Sequence, residues 1–343
     1  MLKIYILFQQ TFMKVIIDSA IPFIHGVLEP WAEVVYCSGA AISRDVVHDA
    51  DALIVRTRTR CNRELLEGSS VRFIATATIG RDHIDETYCR RAGIEVASAA
   101  GCNAYGVLQW VAAALKHIVK ADGKRPEDYS LGVVGVGNVG SLVVEYARHW
   151  GFKVLMCDPP RFEREGGYFL PIEDIVHNAD IITLHTPLDA STHHLIDVQT
   201  IAMMRPNATI INASRGGVVD NLAVANSSHR YAFDVWEDEP SLNASVLGGA
   251  MLATPHIAGY SEQGKANATT MSVNALSRFF NLPLTDWRPA EVTPTTPRLI
   301  SWEEMCSTID DYCPILEETR ILKSSPELFE SLRNNYNYRQ EYF

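Results

Sequence analysis

No apolar run in this 343-residue chain approaches the roughly 20 residues that cross a bilayer as a helix. Positive charge is also scarce: 30 Lys and Arg stand against 41 Asp and Glu, a formal net charge of −11. Without a basic face to displace counterions, non-specific nucleic-acid binding is disfavoured. The seven cysteines are odd in number and lack paired spacing, so neither a disulfide framework nor a zinc site is expected. That usage suits a reducing cytoplasm, and no metal is expected. Internal repeats and low-complexity segments are lacking too. The first twelve residues (MLKIYILFQQTF) hold one lysine and a short apolar patch without a small-residue cleavage site. They do not read as a secretory signal and are set aside from fold reasoning.

What is present suits a two-domain α/β enzyme. From Lys14 to about Gly101, apolar runs (KVIIDS, EVVYCS, ALIVRT, RFIATAT, IEVASA) alternate with polar helical stretches. Asn103 is a plausible N-cap for a long helix to about Lys120. Further strands are predicted at 180–185, 208–214, 231–236 and 251–256, followed by a helix over 261–280. A Pro/Thr linker at 289–297 precedes a charged, aromatic tail long enough for two short helices.

The richest stretch is Gly135-Val-Gly137-Asn138-Val139-Gly140. A short apolar strand precedes it, a helical pattern follows, and a second strand ends at Asp158, eighteen residues past the last glycine. Strand, glycine-rich turn, helix, strand and acid in that order form the dinucleotide-binding fingerprint. Gly135 permits the tight turn, Gly137 admits the pyrophosphate, and Gly140 lets the helix lie on the sheet. The helix N-terminus, at Asn138 and Val139, favours the phosphates. Asp158 is suited to accept from the adenosine ribose hydroxyls and to repel a 2′-phosphate, so NAD is expected rather than NADP.

Three further strand ends carry chemistry. His256 follows Thr254-Pro255. Glu239 lies in DVWEDEP, where a carboxylate on one imidazole nitrogen would leave the other for acid/base work. Arg215, in ASRGG, offers a guanidinium fork for a substrate carboxylate. Each residue, taken singly, also reads as ordinary: a structural histidine, a solvated acid, a surface arginine.

NASRGGVVD, DVWEDEP and TPHIAGYS, together with GVGNVG and CDPP, resemble the catalytic and cofactor blocks of the D-2-hydroxyacid dehydrogenase family. TATIGRDHID, AGCNAYGV, MCDPPR and HIAGYSEQGKA resemble its branch acting on 4-phosphoerythronate. The resemblance runs from Met13 to the C-terminus. It implies a catalytic trio of Arg215, Glu239 and His256. It also implies NAD contacts at Asp158, Thr186, Ala213, Ser214, Arg215, Asp234 and Gly259, and substrate contacts at Thr57, Thr78 and Tyr260. The implied reaction oxidises 4-phospho-D-erythronate to 3-hydroxy-2-oxo-4-phosphooxybutanoate within pyridoxal 5′-phosphate synthesis. The implied fold has two doubly wound parallel sheets. A flavodoxin-like substrate domain takes 13–103 and 258–285, and a Rossmann domain takes 104–257. A C-terminal module over 286–343 is expected to present Trp302, Tyr312, Phe329 and Tyr336 to a twin in a homodimer.

A substrate phosphate needs a cation. If Arg56-Thr-Arg58-Thr-Arg60 stays extended, its three arginines share one face. Arg56 is favoured, with Arg44 and Arg81 as alternatives. Three departures from the family pattern stand out: a short stretch between Asp220 and Asp234 that puts an edge helix in doubt, Gln109 in place of a glutamate, and a shorter C-terminal segment. Two competing readings are a phosphoglycerate- or glycerate-type dehydrogenase and an NAD(H)-sensing binding protein.

Overall fold

The structure is a computed structural model that describes residues 13–343. The reading of the first twelve residues lies outside the described residues. The chain divides into two compact units.

The first unit holds the described residues up to Cys102 together with Lys265–Val292. Its sheet contains β1 (Met13–Asp18), β2 (Ala32–Cys37), β3 (Ala52–Val55), β4 (Phe73–Thr76) and β5 (Glu95–Ser98). All pairings are parallel and the order is β2-β1-β3-β4-β5, the flavodoxin-like arrangement. β3 and β4 are buried at every position, which is why they read as unbroken apolar runs rather than alternating ones. One face is covered by the helix Glu262–Phe280, whose Val273 and Leu276 join Val15, Ile17, Ile54 and Phe73 in a core.

The second unit holds Asn103–Gly264 and Thr293–Phe343. Six parallel strands run β11-β10-β9-β8-β6-β7. They are β6 (Ser130–Val134), β7 (Lys153–Cys157), β8 (Ile181–Leu184), β9 (Thr209–Asn212), β10 (Arg230–Phe233) and β11 (Leu252–Ala253). From β6 the chain first winds to β7 and then returns to β8 on the other side. The order therefore reverses at β6, and the glycine-rich turn leaves from that strand. Such a reversal is where open α/β sheets bind ligands.

The long helix forms over Ala104–Asp122 and stops at Gly123, which takes the left-handed φ of 63°. Asn103 stands at its N-cap position, but its side chain makes no capping bond. The doubtful edge helix between Asp220 and Asp234 survives as one turn, Asn221–Ala225, capped by the Asp220 side chain.

The tail departs most from expectation. It forms three helices, Trp302–Tyr312, Ile315–Ser324 and Phe329–Asn334, and they pack within the second unit. Ile300, Met305, Ile309, Ile315 and Phe343 share a core with Trp110, Val111 and Trp150. Thr319 accepts from the Ala253 N–H at 2.9 Å, which covers the edge strand β11. Phe329 is buried, Trp302 packs edge-on to Trp150, and Tyr312 stacks on Tyr342. Aromatics expected to meet a twin are thus used inside their own unit. Among the described residues no helix is long and apolar enough to cross a membrane.

If the tail is part of this core, Ile309→Ala should destabilise the protein by roughly 2–5 kcal/mol. A denaturant midpoint unmoved by that substitution would show that the tail does not share the core.

Candidate active site

Because all six strands of the second unit are parallel, their C-terminal ends lie along one edge of the sheet. In sheet order the residues that follow them are His256 after β11, Asp234 and Glu239 after β10, and Arg215 after β9. Thr186 after β8, Gly135 after β6 and Asp158 after β7 continue the row. Sequence-distant candidates thereby become neighbours.

The turn after β6 is dictated by steric limits. Gly135 has φ +83°, and a Cβ there would come within 2.8 Å of the His185 carbonyl. A Cβ on Gly140 would fall 2.0 Å from the Gly135 oxygen, so the helix Asn138–His149 can start this close only on glycine. A Cβ on Gly137 would meet nothing within 4 Å, so that side of the turn faces open space at the helix N-terminus. The Thr186 hydroxyl, whose Cγ2 lies beside Gly135, is buried with no hydrogen-bond partner among the described residues. An open glycine face, a helix N-terminus and an unsatisfied hydroxyl suit a dinucleotide.

Asp158 has a second task that the sequence did not reveal. Its Oδ2 accepts from the Val136 N–H at 2.8 Å and its Oδ1 from the Arg161 N–H at 2.9 Å. The carboxylate ties the glycine-rich turn to β7 and caps the next helix. Each oxygen keeps another acceptor position for ribose hydroxyls.

Arg215 is aimed by Asn212, a fully buried residue missed in the sequence. Asn212 Oδ1 accepts from both the N–H and the hydroxyl of Ser214, and its Nδ2 donates to the Arg215 carbonyl at 2.9 Å. The Arg215 Nη1 donates to the Ser214 carbonyl at 2.8 Å. Ala213 packs against the core, and Gly216 leaves no room for a Cβ against Trp236.

His256 and Glu239 meet in a hydrogen-bonded pair. His256 Nδ1 lies 2.8 Å from Glu239 Oε2, while Glu239 Oε1 accepts from the Trp236 N–H at 2.8 Å. Burial alone would raise the Glu239 pKa. The hydrogen bond and charge of His256, the Trp236 N–H and Arg333 outweigh it, and the carboxyl sits below its ordinary 4.5. With Glu239 on Nδ1, Nε2 is left to move a proton. The neighbouring acid Glu237 is spent elsewhere, on His194 at 2.6 Å and on the Asn221 N–H at 2.9 Å.

Behind the pair, His256 has φ +59°, a conformation costing on the order of 1–3 kcal/mol that the surroundings must impose. Asp234 does much of the imposing. Its buried carboxylate accepts from the Thr254 hydroxyl at 2.6 Å and from the Ile257 and Ala258 N–H groups, each at 2.8 Å. The Asp234 carboxylate, read in the sequence as a cofactor contact, is thus bonded to protein. Trp110 Nε1 donates to the same Thr254 hydroxyl at 3.0 Å. A Cβ on Gly259 would overlap the Asn103 amide, whose buried Oδ1 has no partner among the described residues.

Sequence reasoning also missed Arg333, from the helix Phe329–Asn334. It donates from Nε to the Tyr260 hydroxyl at 3.3 Å, and its Nη1 lies 3.8 Å from Glu239 Oε2. Tyr260 thus lies next to the pair. No group of three or more His, Cys, Asp or Glu is placed to hold a metal ion among the described residues.

The remaining candidates belong to the first unit. Thr78 Oγ1 bonds Thr76 Oγ1 at 2.6 Å, and Thr76 meets His83 Nε2 at 3.1 Å. Thr57 is exposed after β3. The segment Arg56–Arg60 is not extended. The Thr59 N–H donates to the Arg56 carbonyl at 3.2 Å, and the buried Thr59 hydroxyl bonds the Gly39 carbonyl. That turn cancels the shared arginine face. Arg56 bonds the Ala20 carbonyl at 3.1 Å, Arg44 the Glu67 carbonyl at 2.9 Å, and Arg81 pairs with Glu86 at 3.3 Å.

Residues 108–258 match the family model described as "D-isomer specific 2-hydroxyacid dehydrogenase, NAD binding domain". Over 340 residues the chain is 44% identical to an erythronate-4-phosphate dehydrogenase from Bacteroides thetaiotaomicron, covering 96% of this chain and 97% of that one. A protein of the same name from Bacteroides fragilis is 45% identical at the same coverage. The chain belongs to the D-isomer specific 2-hydroxyacid dehydrogenase family, among its erythronate-4-phosphate dehydrogenases. A solved 3-phosphoglycerate dehydrogenase from Entamoeba histolytica with NAD⁺ bound is similar with TM-score 0.67 and 25% identity, covering 79% of this chain and 96% of that one. A D-lactate dehydrogenase from Aquifex aeolicus, with NAD and lactic acid, shares the fold at TM-score 0.65 and 22% identity, over 78% and 95%. NAD is the cofactor of this family's nucleotide domain, and the open face at Gly137 fits it.

The pair carries a pH signature. Because the folded-state pKa of Glu239 lies below 4.5, its ionised form stabilises the fold above that pH and the contribution is lost as pH falls below it. Glu239→Gln should therefore flatten the acid loss of stability below about 4.5, and His256→Asn should cut turnover by about 10²-fold or more with NAD affinity kept. Wild-type turnover in the asparagine variant would mean that another group moves the proton.

Proposed function

We propose that this chain oxidises 4-phospho-D-erythronate at C2 to (R)-3-hydroxy-2-oxo-4-phosphooxybutanoate with NAD, as a step of pyridoxal 5′-phosphate biosynthesis. The observation that carries the chemistry is the His256–Glu239 pair, at 2.8 Å, in the same row of strand ends as the glycine-rich turn. The substrate rests on the full-length similarity to the erythronate-4-phosphate dehydrogenases.

A bound NAD would supply the hydride acceptor for C2. Arg215 holds the substrate carboxylate bidentately and draws charge toward it. His256 takes the C2 hydroxyl proton on Nε2, and Glu239 holds the resulting imidazolium in place. Asp158 would hold the adenosine ribose, and Asn138, Val139 and Thr186 would hold the phosphates. Thr57, Thr78 and Tyr260 contact the substrate, and Arg56 engages its phosphate. The work suits the cytoplasm. A homodimer is also part of this reading, and Trp302, Tyr312 and Tyr336, each only partly buried in their own unit, keep surface for a twin.

Phosphate recognition sets this reading apart from a glycerate or lactate enzyme. Assayed against a panel of 2-hydroxy acids, the protein should oxidise 4-phosphoerythronate much faster than glycerate, lactate or unphosphorylated erythronate. Binding energy from the phosphate positions C2, so its loss should lower turnover as well as affinity. Arg56→Ala should harm the phosphorylated substrate far more than its unphosphorylated analogue. An outright preference for an unphosphorylated acid would overturn the substrate assignment.

A further inference from the structure

The last five residues of the chain reach back under the catalytic loop. Arg339 is buried, and its guanidinium donates to three carbonyls. Nη1 bonds Ile257 at 3.0 Å, and Nη2 bonds Gly106 at 2.8 Å and Ala258. Ile257 and Ala258 directly follow His256, and Asp234 already holds their N–H groups. The two residues behind the catalytic imidazole are therefore gripped on their N–H side by a buried anion and on their carbonyl side by a buried cation. Charge-assisted bonds of this kind are the strong ones, and they hold His256 at its strained φ.

The tail is fastened in turn. Ser261 and Arg339 form a parallel bridge, and the Glu262 N–H donates to the Arg339 carbonyl at 3.0 Å. Glu341 accepts from the Ser261 hydroxyl at 2.5 Å and from Thr295. Phe343 is fully buried, with its ring 5.4 Å from that of Tyr146. Gln109, the residue that departs from the family pattern, is the clasp. Its Nε2 donates to the Gln340 carbonyl at 3.1 Å and its Oε1 accepts from the Tyr342 N–H at 2.8 Å. An ionised glutamate could make only the second bond.

We propose that the C-terminal segment Arg339–Phe343 is a positioning device for catalysis: Arg339 sets the backbone of Ile257 and Ala258 and so aims His256, and Gln109 holds the segment in place. The inference rests on His256 being the proton acceptor. Arg339 is a positioning residue, with no contact to substrate required of it.

The test compares the parent with Arg339→Met, Arg339→Lys and Gln109→Glu, using kcat and KM for 4-phosphoerythronate, NADH affinity by fluorescence, and melting temperature. Misaiming a catalytic group by about 1 Å can cost about 10²-fold. Arg339→Met should lose kcat on that scale while KM and NADH affinity stay near parent values. Sub-denaturing guanidinium should restore part of the kcat, and the lysine variant should fall between. Unchanged kcat in a folded Arg339→Met protein would overturn the proposal. So would a parallel loss of kcat, NADH affinity and melting temperature without guanidinium rescue, the mark of a merely structural residue. If Arg339→Met does not fold, Gln109→Glu decides: a lower kcat with NADH binding kept supports the device, and parental kcat overturns it. Failure of the parent on every acid of the panel would instead strike the function reading, so the two failures are distinguishable.

Discussion

The buried Asp234 carboxylate is the interaction on which the corner holding His256 and Glu239 depends. β10 and β11 pair in register, Phe233 beside Ala253, so Asp234 and Thr254 are the first residues past the sheet on adjacent strands. A carboxylate buried there needs donors, since an unpaired buried charge is heavily penalised. The donors it finds are the Thr254 hydroxyl and the two N–H groups that follow His256. Satisfying one acid therefore bends the chain into the shape that offers His256 to Glu239. Trp110 from the long helix and Arg339 from the tail converge on the same corner.

The nucleotide side follows from a different constraint, close packing of backbone. Gly135 and Gly140 are required by atoms 2.0–2.8 Å from where a Cβ would sit, whereas Gly137 faces open space. That contrast separates glycines that shape the protein from one that makes room for a ligand. Cofactor binding is thus written into the fold. Substrate choice depends on side chains placed around it, and fold alone would not reveal it.

Much of this was legible in the sequence because the signals are local. Parallel strands buried on both faces read as unbroken apolar runs, and the glycine spacing with Asp158 is a contiguous pattern. His256 and Glu239 stood out because each lies in the loop just past a strand, three and six residues beyond its end. What escaped is what depends on contacts between distant segments. Arg333 and Arg339 look like any tail arginines until the chain brings them to residues 73 positions earlier, at Tyr260, and as many as 233 earlier, at Gly106. Asn212 and the second task of Asp158 are backbone contacts without a motif. The expected arginine face failed because Thr59 is buried and turns the chain. The tail's aromatics were the hardest to place, because apolar side chains suit a partner's surface and a unit's own core equally well.

In the proposed reaction, hydride passes directly from C2 of a phosphorylated 2-hydroxy acid while His256 takes the hydroxyl proton. 4-Phosphoerythronate deuterated at C2 tests it most directly, with the reduced cofactor analysed by NMR and mass spectrometry. One deuterium per turnover should be carried to the nicotinamide, with almost no labelled cofactor from the His256→Asn protein. Deuterium appearing in solvent instead of the cofactor, or equal labelling by that variant, would contradict it.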